Sequence, residues 1–188
     1  MKKTFFHALV IGLLFAGSLL TVSPAQGDDG KEPPVAKKTV KKNEVSEVAK
    51  AFKSARPVQG RLNPAAKCFV YLQSASWCGP CREEMPEIVK EYKEMKANGV
   101  EIILCGRDED KKGVKGYIKE FKIPFPAVVA NEKLKLPGYQ RSPGVPHATF
   151  VDKSGKVLLD GHGAITMRWK EVIEKINAAE EQEEESEE

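Results

Sequence analysis

Two cysteines three positions apart, in the run Trp77-Cys78-Gly79-Pro80-Cys81, stand where one periodicity ends and another begins. Before them, Cys68-Phe69-Val70-Tyr71-Leu72 is a short apolar run of strand character; after them, residues 82–97 have the spacing of a helix. A chain with this junction must carry a strand into a helix through its thiols. A thiol at a helix N-terminus lies beside N–H groups that lack an intrahelical acceptor, at the positive end of the helix dipole, which favours the thiolate. A second thiol one turn later can attack a mixed disulfide formed on the first. The pair reads as a two-electron redox device, with Cys78 the attacking sulfur and Cys81 the resolving one.

The 188 residues suffice for one sizeable core, and residues 1–25 are not expected to contribute to it. Lys2-Lys3, an apolar stretch over 5–20 without Asp, Glu, Lys or Arg, and the small residues of Ser23-Pro24-Ala25 form the pattern of a secretory signal peptide cut after Ala25. The stretch is short for a spanning helix, and an uncleaved N-terminal anchor is the alternative. The expected location is exported, periplasmic or otherwise extracytoplasmic.

Residues 26–43, rich in Lys, Pro and Gly, read as a flexible basic tether. Residues 44–63 read as an N-terminal helical extension. Val45, Val48, Ala49 and Phe52 recur at helical spacing over 44–54, behind Asn43 as N-cap. That helix is expected to lie on the main domain, with partner binding as the alternative use. The domain proper covers 64–179. Strands are expected at 67–73, 100–105, 126–130, 145–151 and 156–159, and helices at 78–97 and 110–121. A last helix starts from a Thr166 cap, with Met167, Trp169, Val172, Ile173 and Ile176 as its apolar face. Asp152-Lys153-Ser154-Gly155 is a hairpin turn between the final strands. Residues 180–188 hold seven Glu and no base, and read as an acidic disordered tail. Strand–helix units followed by a hairpin and a closing helix make an α/β sandwich, a mixed central sheet flanked by helices.

The cysteine count is even, as in a disulfide framework, but the spacing argues otherwise. If the strands holding Cys68 and Cys105 pair in parallel, the two thiols are offset by about four residues, roughly 13 Å. A disulfide needs Cα atoms within about 7 Å, so both read as buried free thiols packing like small apolar groups. Charge narrows the partners. No basic stripe with interleaved aromatics is present, so nucleic acid is not among the expected partners. Residues 28–67 hold ten Lys and Arg against five Asp and Glu. The tether therefore suits an anionic membrane surface, or the acidic tail, through an attraction that salt screens.

Beyond Trp77-Cys78-Gly79-Pro80-Cys81, the chain carries Arg82-Glu83-Glu84-Met85-Pro86, Gly144-Val145-Pro146 and Gly163-Ala164-Ile165-Thr166. Over residues 64–178 these resemble the thioredoxin superfamily, and within it the exported TlpA/ResA-like thiol–disulfide oxidoreductases. The first motif is specific; the other three are weak alone. The resemblance implies a thioredoxin-like sandwich with an extra segment between the second helix and Pro146. It implies a redox-active Cys78–Cys81 disulfide with no other cofactor and no metal, Gly79-Pro80 tightening the turn as in reducing members, and a kink at Pro86. Trp77 would shield the thiols, plain core packing being the alternative. A cis Val145–Pro146 bond would lie against the disulfide, with Val145 offering its backbone N–H and C=O to an extended substrate segment. The implied partners are protein disulfide substrates and a membrane thiol donor. Two departures stand out: Leu72 occupies the position of the usual buried acid, and Ser74 that of a common aromatic. Glu83 and Glu84 read as solvent-facing, which leaves water to relay the Cys81 proton.

The expected function is reduction of protein disulfides outside the cytoplasm. One alternative is an oxidant or isomerase of the same fold. Another is a Sco-like copper metallochaperone holding the ion with the two thiolates and a histidine, His147 or His162, although that family spaces its cysteines more widely. Both histidines read otherwise as surface residues. A zinc site lacks a second cysteine pair, and Ala75 stands where peroxiredoxin-like sites need a hydroxyl.

Overall fold

The computed structural model describes residues 46–163 and 165–186. The expected signal peptide at 1–25, the tether at 26–43, the Asn43 cap, the helix start at 44–45, Ala164 and residues 187–188 lie outside the described residues. Among the described residues, no helix is long and apolar enough to cross a membrane.

The elements run α1 (Glu47–Ser54), β1 (Cys68–Ser74), α2 (Gly79–Ala97), β2 (Val100–Gly106), α3 (Lys111–Phe121), β3 (Ala127–Val129), β4 (His147–Val151), β5 (Val157–Gly161) and α4 (Ile165–Ser186). The five strands form one sheet in the order β3-β2-β1-β4-β5. β1, β2 and β3 are parallel, while β4 runs antiparallel to β1 and β5 antiparallel to β4. This is the expected thioredoxin-like sandwich with a mixed sheet. Two consecutive crossovers that step the same way along the sheet put α2 and α3 on one face, as right-handed connections require.

Side chains alternate across β1 because its period is two. Cys68, Val70 and Leu72 enter a core that contains Met85 and Ile88 of α2, Tyr117 of α3 and Trp169 of α4. Phe69 and Tyr71 enter a second core with Val48 and Phe52 of α1 and Leu136 of the segment after β3. With both faces covered, every β1 and β2 residue is buried. Each fully buried Phe or Ile stabilises by about 1.5–3 kcal/mol. At the end of β2, a Cβ on Gly106 would meet Val114 Cγ2 at 2.5 Å; only glycine lets α3 pack this close to the sheet.

Cys68 pairs with Val100 and Cys105 with Gln73, so the thiols are five residues apart in register and in different cores. They are buried free thiols, as expected.

Several expectations need correction. Ser46, rather than Asn43, caps α1: its Oγ accepts from Ala49 N and donates to Lys153 O at 3.0 Å, tying α1 to the β4–β5 turn. Strand β4 begins at His147 rather than 145, because Pro146 has no N–H for the ladder. Thr166 is not the cap of α4, which already includes Ile165. Met167 is 81% exposed, and Ile165 takes the buried place assigned to it. Most of the expected acidic tail is helix, since α4 continues through Ser186. Ala, Glu and Gln are good helix formers and no Gly or Pro interrupts them. Lys67 Nζ also holds this stretch, donating to Asn177 Oδ1 at 2.7 Å and Glu180 Oε2 at 2.6 Å.

Candidate active site

β1 delivers the chain to Ser74, and α2 starts at Gly79; Cys78 is the N-cap between them. The Cys78 sulfur accepts from Cys81 N at 3.2 Å, the bond that a Ser or Asp cap would make with its oxygen. The first turn of α2 carries no acid, so nothing there offsets the positive end of the dipole. The two sulfurs are bonded at 2.15 Å, with Cα atoms 5.3 Å apart. Cys78 is 5% exposed and Cys81 1%, so both are buried and Cys78 is the less covered. α2 runs on through Pro86.

The turn around the disulfide is held from distant parts of the chain. Asp108, just past β2, accepts from Ser76 N at 3.3 Å and from the Ser76 hydroxyl. Ser74 Oγ and Tyr117 Oη are 3.0 Å apart, and Tyr117 Oη donates to Cys81 O at 3.2 Å. Arg82 donates to Ser76 O at 3.2 Å and forms an ion pair with Glu120. That hydrogen bond and charge hold the Glu120 carboxyl below its ordinary range. These contacts span 32 to 43 residues, apart from Arg82 to Ser76, and no local spacing announces them.

The other wall comes from 142–146. The Val145–Pro146 peptide is cis, and Val145 O lies 3.6 Å from Cys78 Sγ. Val145 packs with Ala75, Cys78 and Cys81 as a small apolar cluster. The segment leading to it hangs on Gln73, which is fully buried. Gln73 Nε2 donates to Gln140 O at 2.7 Å, while Oε1 accepts from Arg107 Nη1 at 2.9 Å, Ser142 N at 3.0 Å and Tyr139 Oη at 3.3 Å.

The structure thus brings Cys78, Cys81 and Val145 together, with Pro146 following Val145 through the cis bond, and leaves Gly79, Pro80 and Trp77 exposed. Trp77 is 67% exposed, which excludes core packing. Leu72 is buried below the site and supplies no acid. Glu83 is exposed as expected, but Glu84 is half-buried, and burial pushes its carboxyl up from the ordinary 4.5. It lies three residues past Cys81, on the same helix face. His147 is not a plain surface residue: its Nε2 sits 2.9 Å from Asp160 Oδ1 and its Nδ1 is buried without a partner. His162 is exposed, with Nδ1 2.7 Å from Pro146 O. Burial pushes the Cys68 thiol up to about 12 and Cys105 higher still, so neither competes as a nucleophile. Chemically, the arrangement offers two bonded sulfurs, Cys78 the less covered, with the backbone carbonyl of Val145 beside it.

The Redoxin family model matches residues 63–174. The thiol-disulfide oxidoreductase ResA of Bacillus subtilis (strain 168) is 33% identical over 91 residues, 48% of this chain and 50% of that protein. ResA of Bacillus thuringiensis subsp. konkukian (strain 97-27) is 33% identical over 102 residues, 54% of this chain and 58% of that protein. The chain spans about half the length of the curated relatives it matches. Among solved structures, a thiol:disulfide interchange protein from Bacteroides sp. is similar in fold, with TM-score 0.50 and 23% identity over 60% of this chain and 75% of that one.

Proposed function

The chain belongs to the Redoxin family, and on that premise we propose that it is a thiol–disulfide oxidoreductase that reduces protein disulfides outside the cytoplasm. The observation carrying this reading is the Cys78–Cys81 pair at the start of α2, with Val145 against it. In the reduced state the Cys78 thiolate, favoured by the helix N-terminus, attacks one sulfur of a target disulfide and expels the other as a thiolate. The Cys81 thiol loses its proton and attacks Cys78 in the mixed disulfide. The target leaves with two thiols and the chain keeps the Cys78–Cys81 bond, so two electrons have moved to the target.

Each neighbour has a part in this cycle. The backbone of Val145 pairs with an extended segment of the target, as an added strand would. Exposed Trp77, with Gly79 and Pro80, forms the apolar rim that such a segment crosses. Glu84 accepts the Cys81 proton, directly or through water, in place of the acid that Leu72 cannot supply. Its raised carboxyl supports this, since a base poised nearer neutrality exchanges protons in both directions.

Export rests on the pattern of residues 1–25. The reducing direction rests on Gly79-Pro80, and it requires a membrane thiol donor to restore the dithiol. The test is a protein-disulfide reduction assay on the wild type, Cys78→Ser and Cys81→Ser. Wild-type activity lost in Cys78→Ser, with mixed disulfides accumulating on Cys81→Ser, supports the reading; activity surviving in Cys78→Ser refutes the choice of nucleophile. A reduction potential near thioredoxin's, about −270 mV, supports reduction, whereas one near −120 mV assigns the chain to the oxidants.

A further inference from the structure

Two arginines stand beside the site without a carboxylate. Arg107 leaves the end of β2 and donates through Nη1 to Gln73 Oε1 and to Ser142 O, both at 2.9 Å. Arg141 donates to Ala130 O at the end of β3. All three acceptors are neutral. Among the described residues, neither guanidinium has an acidic partner within 4 Å. Arg107 is held below its ordinary range first by burial and then by the positive charge of Arg141. Leaving like charges together, and one of them half-buried, is unfavourable unless an anion offsets them.

Their position connects them to the disulfide on one side. Arg107 N donates to Ser74 O, four residues before Cys78, and its side chain holds Ser142, three residues before Val145. On the other side the basic surface continues. Ala130, which Arg141 grips, lies between Val129 and Asn131, and both line an open cavity of about 640 Å³. Arg56, Lys111, Lys133 and Lys135 also line it, opposed by Glu109 and Asp110. Arg56 enters this wall with φ +53°, a left-handed conformation uncommon for a non-glycine residue. Basic residues thus outnumber carboxylates in the cavity wall, four against two, and Arg141 reaches that wall through Ala130.

We propose that Arg107, Arg141 and the adjoining basic cavity form a docking strip for an acidic segment of the protein whose disulfide Cys78 attacks. This rests on the oxidoreductase reading and names its substrate class: proteins with Asp and Glu clustered near the target cystine. Charge complementarity of this kind acts mainly on the rate of productive encounter and weakens with salt.

The test uses the reduced full chain in single-turnover reactions with two disulfide peptides, identical except that one carries four flanking Asp residues where the other carries Ser. The acidic peptide is expected to react about tenfold faster at low ionic strength, with the difference gone by roughly 0.5 M salt. Arg107 also anchors Ser142, so the substitutions fall on exposed residues: Arg141→Glu and, separately, Lys133→Glu are each expected to erase or reverse the preference. Equal rates for both peptides in the wild type, or a preference untouched by both substitutions, overturns the docking strip while leaving the dithiol chemistry in place. A chain that reduces neither peptide overturns both.

Discussion

Cys78 Sγ lies 3.6 Å from the backbone oxygen of Val145, a residue 67 positions further along the chain. The contact joins the β1–α2 turn to the segment ahead of β4, and it leaves the Cys78 sulfur partly screened by backbone rather than by a side chain. Together with the helix N-terminus it separates the four thiols into two classes.

The first class is reactive and the second inert. After reduction, alkylation of the folded chain at pH 8 is expected to modify Cys78 well before any other cysteine. Cys68 and Cys105, held as neutral buried thiols, should stay unmodified until denaturant is added. Peptide mass mapping of a time course reads this. Labelling of Cys105 at a rate comparable to Cys78 contradicts the assignment.

Glu84→Gln tests the proton route. The resolving step is expected to slow by roughly ten- to a hundredfold, with the loss varying with pH across the Glu84 titration. A structural effect alone would shift stability but leave the shape of the pH–rate profile intact. The sign for stability is opposite: burial raises this carboxyl, so stability falls as pH rises from its unfolded-state value to its folded-state value, and the cost is complete above both. Glu84→Gln is therefore expected to stabilise slightly at neutral pH and to do nothing below both values, as thermal melts at pH 3 and pH 7 will read.

Tyr117→Phe removes one hydroxyl that serves both Ser74 and the Cys81 carbonyl. Both partners are buried, and leaving them unsatisfied is expected to cost about 1–3 kcal/mol in urea unfolding of the oxidised protein. The reduction potential is expected to move as well, because the hydroxyl supports the backbone of the resolving cysteine.

Asp160 governs acid sensitivity at the β4–β5 rim. Burial alone would raise its carboxyl, but hydrogen bonds from Thr149 and His147 outweigh that and hold it below 3.8. A depressed carboxyl contributes stability that is present above its unfolded value and lost as pH falls through the folded one. Wild-type Tm should thus drop as pH is lowered from about 4, and Asp160→Asn should flatten that drop. An unchanged slope in the variant assigns the acid sensitivity elsewhere.

What could be read along the chain was whatever depends on near neighbours in it. The strand-to-helix junction at Trp77–Cys81, the alternation of β1 and β2 with α2 and α3, and the 152–155 turn are short-range patterns, and they sufficed for the layout and for both sulfurs. Glu84 was also within reach, since three residues past Cys81 on a helix is the same face. Cap and end positions were less so. Ser46 caps α1 while its hydroxyl also reaches Lys153 across the fold, and α4 runs past residue 180 because its charged residues form helix where Lys67 can hold it. Asp108, Tyr117 and the Gln73 hub with Arg107 owe their roles to the strand order β3-β2-β1-β4-β5, which sets the ends of β2 and β4 beside the end of β1. Residues 30 to 70 apart meet only once that order exists. A sequence specifies periodicity and turn chemistry locally, whereas these contacts are products of the assembled sheet.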